Sequence, residues 1–380
     1  MKIGIDCRTI LNPEKGERGG VGHYTYQLVR HLLKIDKENQ YVLFFDRKIR
    51  EHKMAKFLQP NSRVKFFPFI QYAKFLPLKY NNYLISAVLE SEKLDIFHSP
   101  ILSLPSSYKG NCVITAHGFA RYRGLKYFPK EEFSKAKKIK PLAINQAKKI
   151  IAPSKFVQKE LLELFDFKKS DISVIHHGLD ERFLVRGSEA ERKKILDKYK
   201  ISKKYIFFLG TLEARKNIAG LIETFEFLRE ELKLDWQLVL AGHRGFGFKN
   251  IDNRIKKSKH KKNIILTGYV SGDDLDALFG EAEVYIFPSF YEGFGLSVIE
   301  AMAKGAPIIT SNTTAFPEIA HNAALLVSPD NSKEMKEALK RILFDEDLKQ
   351  NLKNKGIKRA KEFSWDKCAK QTLQVYKESL

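Results

Sequence analysis

The segment PSFYEGFGLSVIEAMAKGAPIIT, residues 288–310, sets two glutamates, Glu292 and Glu300, eight positions apart around Gly293, Phe294 and Gly295. An apolar run at 284–287 precedes it. The pattern predicts a strand, a loop and a helix beginning near Leu296, with the loop at the carboxyl edge of a parallel sheet, where open α/β folds bind ligands. Gly293 and Gly295 let the backbone approach a ligand closely, and a helix start offers free N–H groups that suit a phosphate. Carboxylates accept hydrogen bonds and so suit hydroxyl groups. Glu292 on the loop and Glu300 about one turn into the helix therefore point to a nucleotide sugar, with Glu300 on the ribose and Glu292 on the sugar.

A second strand, loop and helix pattern is GTLEARKN, residues 210–217. Arg215 and Lys216 fall just before the helix start, where the helix dipole disfavours cations unless both share an anion. A diphosphate is such an anion; arginine would offer it a planar fork and lysine a point charge. In the first half, Arg18-Gly19-Gly20-Val21-Gly22-His23 lies between strand and helix without the spacing of a dinucleotide fingerprint. His117, in TAHG, and His98, in FHSP, also follow strands. For His98 a structural role is expected; for His117 a contact to a sugar hydroxyl or a reacting oxygen stands beside the structural alternative. No metal is expected: no Asp-x-Asp lies at a strand end, and Asp345-Glu346-Asp347 falls between late helices.

The elements that must position these residues alternate throughout. Strands are expected at 2–6, 41–45, 64–67, 95–97, 113–115, 149–152 and 172–175, then at 205–209, 237–241, 263–266, 284–287 and 307–310, with helices from about Val21 and from Asn217 among those between them. A polar stretch from His177 to about Lys204 interrupts the alternation. Two doubly wound α/β domains follow: residues 1–180 with the terminal helix 364–380, and residues 181–363. Its late apolar anchors, Phe363, Trp365, Leu373, Val375 and Tyr376, suit a tail packed on the first domain.

These residues resemble a known family. The pattern E-G-F-G-L-x-x-x-E with G-T-L-E-x-R-K-N is similar to the retaining glycosyltransferases of family four, and the likeness runs from the GGVG loop through APSKFV (152–157) to FSWDK. It implies the GT-B fold, two Rossmann-like domains facing across a cleft, with the acceptor on the first, the nucleotide sugar on the second and the last helix returning to the first. It also implies that Gly20 approaches the diphosphate, that His117 touches the transferred sugar, and that Arg215, Lys216, Gly293, Phe294, Gly295 and the helix start at Leu296 cradle the diphosphate. Glu292 then takes sugar hydroxyls, Glu300 the ribose, and the backbone of Val270, in TGYVS, the base. Two positions depart from the family's habit: Thr211 stands where many members have arginine, and Gly118 where many have aspartate. The implied reaction is metal-independent transfer of a hexose with retention, from a nucleoside-diphosphate sugar to a glycan or lipid-linked acceptor in cell-surface polysaccharide or lipopolysaccharide synthesis. GTLEARKN is most similar to the mannosyltransferase branch, which makes GDP-mannose the first choice and requires no further cofactor. A nucleotide-sugar epimerase of the same fold is the alternative; release of nucleoside diphosphate only with an acceptor present separates the two.

The 380 residues and 43% hydrophobic content exclude a small binding module and a disordered chain. Cys7, Cys112 and Cys368 are too scattered for a disulfide framework or a zinc site, and the start MKIGIDCRTI lacks a signal peptide's features, so a cytoplasmic location is expected. The net charge is +22, and residues 1–185 carry 33 basic and 18 acidic residues. A nucleic-acid binder is a further alternative on charge alone, but no aromatic and basic module supports it, and no nucleic-acid partner is expected. The segment 121–140 instead interleaves Arg121, Arg123, Lys126, Lys130, Lys135, Lys137, Lys138 and Lys140 with Tyr122, Leu125, Tyr127, Phe128 and Phe133, against Glu131 and Glu132. Together with the apolar stretch 66–78 it suits peripheral contact with the anionic cytoplasmic face of a membrane.

Overall fold

The structure is a computed structural model that describes residues 1–10, 20–46, 51–67, 78–128, 133–134 and 144–380. Arg18 and Gly19, most of the stretch 66–78, and Lys130, Glu131, Glu132, Lys135, Lys137, Lys138 and Lys140 lie outside the described residues. Two compact units are formed by Met1–Gly124, Lys130–Gly178 and Ser364–Leu380, and by Leu125–Pro129 and Leu179–Phe363. The stretch Leu125–Pro129, expected with the first 180 residues, goes with the second unit, where Tyr127 stacks on Phe290 at 4.8 Å between ring centroids.

The strands of the first unit are β1 (Lys2–Asp6), β2 (Gln40–Asp46), β3 (Ser62–Phe67), β4 (Ile96–Ser99), β5 (Cys112–Thr115), β6 (Lys149–Ala152) and β7 (Ile172–Val174). Those of the second are β8 (Tyr205–Leu209), β9 (Gln237–Ala241), β10 (Ile264–Gly268), β11 (Val284–Phe287), β12 (Ile308–Ser311) and β13 (Leu325–Val327). Among the described residues the sheets run β3-β2-β1-β4-β5-β6-β7 and β10-β9-β8-β11-β12-β13, with every neighbouring pair parallel. Such sheets are covered on both faces, which is why YIFFL, QLVLA and VYIF are nearly uninterrupted apolar runs whose residues are almost all buried. The edge strand β13, only three residues long, escaped the sequence pattern.

In the first unit the terminal helix Trp365–Lys377 packs on the helix Gly20–Ile35. Asp366 accepts from or pairs with His31 Nδ1 at 2.6 Å and Lys34 Nζ at 3.2 Å, and Trp365 is fully buried. A buried polar chain runs through the same unit: Tyr376 Oη lies 2.6 Å from His98 Nδ1, His98 Nε2 lies 2.9 Å from Thr115 Oγ1, and Thr115 Oγ1 lies 3.0 Å from Tyr24 Oη. His98, pushed down to about 3 by burial with help from His117, is a neutral structural histidine. No described helix is long and apolar enough to cross a membrane.

Candidate functional site

In the second sheet the strand order reverses direction between β8 and β11, and a crevice at the carboxyl ends of such a pair is where doubly wound sheets bind ligands. GTLEARKN leaves β8 and EGFGL follows β11, so the sheet order brings together the two segments that the sequence singled out. Backbone joins them directly: Phe290 N donates to Arg215 O at 2.9 Å, and Ser289 Oγ lies 3.2 Å from the same carbonyl. The base of the site needs close packing. Gly242 N donates to Gly268 O at 2.8 Å, and a Cβ on Gly242, whose φ is +140°, would stand 1.9 Å from the carbonyl oxygen of Gly210.

Arg215 and Lys216 lie in a 3-10 turn, Ala214–Lys216, ahead of the helix Ile218–Glu230. Between them and the helix Asn217 takes a left-handed conformation (φ 54°), which asparagine tolerates, and its Oδ1 caps the helix by accepting Gly220 N at 3.3 Å. The expected helix start at Asn217 is therefore a cap one residue before the helix.

The cations are not idle. Arg215 Nε and Nη2 donate to Glu213 Oε1 at 3.1 and 2.6 Å, while Nη1 donates to Glu292 Oε1 at 2.8 Å and to Tyr291 O. Lys216 Nζ pairs with Glu292 Oε1 and lies 4.8 Å from the centre of the Phe287 ring. Arg215, expected to hold out a free fork, spends most of it on protein acceptors; Glu213, two positions upstream, was not singled out from the sequence. Lys216 keeps donors in reserve, and burial, followed by the neighbouring Arg215 charge, lowers its pKa against the opposing pull of Glu292.

Glu292 is held from three sides, with Ser289 Oγ also donating to Oε1 at 2.9 Å. Among the described residues no donor reaches Oε2, which leaves one oxygen for a hydroxyl. Burial pushes this carboxyl up, but Arg215 and Lys216 overcome it and hold the group at about 2, so it is ionised at any working pH. The loop's aim is fixed by Thr314 Oγ1, which accepts Glu292 N at 3.3 Å.

Gly295, at φ +111° and ψ 57°, caps the helix Leu296–Ala303 in a conformation that suits glycine. Gly293 and Phe294 are buried, and the Phe294 ring lies edge-on to Phe363 at 5.8 Å, so Phe294 can meet a ligand through its backbone alone. Glu300 is half-buried on that helix, and no donor among the described residues reaches its carboxylate. Burial raises it from 4.5 to about 7, with Arg182 pulling it down and Asp180 pushing it up. Val270 is buried just beyond β10.

In the first unit Gly20 is an exposed helix start, and a Cβ there would meet nothing within 4 Å. His117 Nε2 lies 2.9 Å from the Pro100 carbonyl oxygen, which requires a proton on Nε2 and leaves Nδ1 as an acceptor. Burial lowers its pKa to about 4 despite that bond. Its ring meets Tyr24 at 4.8 Å and His177 at 5.4 Å. The Pro100 carbonyl is thus what orients the His117 ring here, and Gly118, next in sequence, has no side chain to do so.

Residues 191–359 match the family model described as glycosyl transferases group 1, and residues 18–183 match glycosyltransferase family 4. O-antigen chain mannosyltransferase B of Escherichia coli is 31% identical over 283 residues, which span 74% of each chain. Among solved structures, WaaG, a glycosyltransferase involved in lipopolysaccharide biosynthesis, aligns with a TM-score of 0.75 at 11% identity over 98% of this chain and 99% of that one. Anabaena HepE in complex with UDP-glucose aligns with a TM-score of 0.75 at 16% identity over 100% of both chains. The chain is thus a glycosyltransferase of family four with the GT-B fold, in the mannosyltransferase branch of that family.

Proposed function

We propose that this glycosyltransferase moves a hexose, mannose first, from a nucleoside-diphosphate sugar, GDP-mannose first, to a glycan or lipid-linked acceptor in cell-surface polysaccharide synthesis, with retention and without a metal. The carrying observation is the convergence, at the β8/β11 switch point, of the pair Arg215 and Lys216, a glycine-capped helix start at Leu296, and two carboxylates of opposite character. Lys216 and the helix start take the diphosphate, with Gly293, Phe294 and Gly295 contributing backbone. Arg215 holds Glu292 and the loop in place and adds its charge. Glu292 Oε2 receives sugar hydroxyls and Glu300 the ribose. In the first unit, His117 Nδ1 receives a substrate hydroxyl and the backbone at Gly20 approaches phosphate; the backbone of Val270 serves the base.

In the step itself the bond between the anomeric carbon and the diphosphate oxygen breaks while the acceptor oxygen bonds to that carbon on the same face. The acceptor's proton passes to a diphosphate oxygen. Lys216, Arg215 and the helix N–H groups supply preorganised positive charge where negative charge grows, the part a divalent ion would otherwise take. The likeness to O-antigen chain mannosyltransferase B supports the sugar and the class of acceptor.

The test is a donor panel with a mannosyl acceptor, in EDTA, with the product anomer read by NMR. Transfer from GDP-mannose with an α product is expected. A β product overturns retention, and a requirement for magnesium or manganese overturns the metal-free step.

A further inference from the structure

Arg182 lies in none of the motifs, yet the fold fixes its place with care. It sits in the turn Glu181–Leu184, whose cap, Asp180 Oδ1, accepts Arg182 N at 3.2 Å. Lys304, one turn beyond Glu300, has a side chain only 3% exposed; it donates to Val185 O and, at 3.5 Å, to Arg182 O. Asp276 secures that lysine at 2.5 Å, and its Oδ2 accepts Gly187 N at 2.8 Å. The backbone that carries Arg182 is thereby locked to the helix of Glu300.

From this anchored turn the guanidinium reaches the loop after β10. A Cβ on Gly272 would stand 2.0 Å from Nη1 and 2.6 Å from Cζ, so glycine is what leaves room for it. Nε pairs with Asp180 Oδ2 at 3.4 Å, and the side chain is 41% exposed. Among the described residues neither Nη1 nor Nη2 donates a hydrogen bond.

Leu296, Glu300 and Lys304 follow one another at four-residue intervals, about 6 Å of rise each in a regular helix. A nucleoside diphosphate extends through phosphate, ribose and base in steps of similar size. With phosphate at the helix start and ribose at Glu300, the base falls beside the turn that Lys304 holds. We propose that Arg182 is a specificity-determining residue, whose Nη1/Nη2 fork reads the base of the nucleoside diphosphate and selects guanine by its adjacent O6 and N7 acceptors. Adenine sets an amino donor beside N7, and a pyrimidine has no N7, so neither matches the fork. The proposal rests on the nucleotide site described above and adds to it the residue that chooses the base.

Calorimetric titration of GDP, UDP, ADP and 7-deaza-GDP into the wild type, Arg182→Gln, Arg182→Lys and Gly272→Ala tests it. The wild type should favour GDP about tenfold or more over UDP and ADP, and lose about tenfold with 7-deaza-GDP, the discrimination of one bidentate pair. Arg182→Gln should erase the preference and leave UDP binding within about twofold. Arg182→Lys keeps the charge without the fork, and Gly272→Ala keeps the arginine but displaces it; both should also erase the preference. Equal losses for every nucleotide, restored by lysine, would overturn base reading in favour of a charge acting through Glu300. A wild type that prefers UDP or ADP overturns it too. If the wild type binds no nucleoside diphosphate, or binding ignores Glu300→Gln, the nucleotide site itself is wrong, an outcome distinct from an unchanged GDP preference in the Arg182 variants.

Discussion

Glu300→Gln should stabilise the unliganded protein at pH 8 while weakening its hold on a nucleoside diphosphate. Burial lifts the Glu300 carboxyl from 4.5 to about 7, so the folded state holds its proton to higher pH than the unfolded chain does. Stability therefore falls as pH rises between those values, and above about 7 the cost of keeping a half-buried carboxylate is fully present. At 1.36 kcal/mol per pKa unit the cost is about 3 kcal/mol at most, because Glu300 is partly solvated. Glutamine cannot ionise, so the variant escapes it. Denaturant titrations at pH 4 and pH 8 should show a gain near zero at the first and approaching about 3 kcal/mol at the second. At pH 8 calorimetry should show the wild type binding nucleoside diphosphate more tightly than the variant, since the wild-type carboxylate accepts the ribose hydroxyls. The same gain at both pH values, or a loss at pH 8, would refute desolvation as the source of the shift. Unchanged nucleotide affinity would refute the ribose contact.

Lys216→Ala should lower kcat by about 100-fold and alter donor affinity far less, because the charge it meets grows in the transition state; steady-state kinetics in EDTA would show it, and a purely KM effect would contradict the role. Gly242→Ala should destabilise the second unit by about 3 kcal/mol or more, since its Cβ would meet the Gly210 carbonyl oxygen at 1.9 Å where φ is +140°; a denaturation midpoint equal to the wild type's would show that the loops relax freely. Sedimentation with anionic liposomes should show binding that fades with added salt and with charge reversal at Lys135, Lys137 and Lys138, and protein left in the supernatant at low salt would turn the search toward a soluble acceptor.

Much of the candidate site was legible because its signals are local. Glu292, the glycines around Phe294 and Glu300 fall within nine consecutive residues, and a strand followed by a glycine loop and an apolar helix places them at a sheet edge without any knowledge of partners. Arg215 and Lys216 stood out because cations before a helix start need a shared anion. That anion proved to include Glu213 and Glu292, the latter 77 positions from Arg215. Arg182 gave no signal, because its place depends on Lys304, Asp276 and Gly272, which no short window unites with it.

The sequence by itself determined the repeating strand and helix pattern, the division into two doubly wound sheets, the family resemblance and the residue types of the candidate site. These follow from periodicity and short motifs, which depend on neighbours a few positions away. Only the tertiary structure decided that β11 pairs with β8, and so that Glu292 meets Arg215 and Lys216 and is held near 2 while Glu300, on the same segment, rises to about 7. It also decided that Pro100 orients His117 and that His98 is spent in a buried chain with Thr115 and Tyr376. Burial and charge at a point in space depend on every element packed there, and a linear pattern carries no record of that sum.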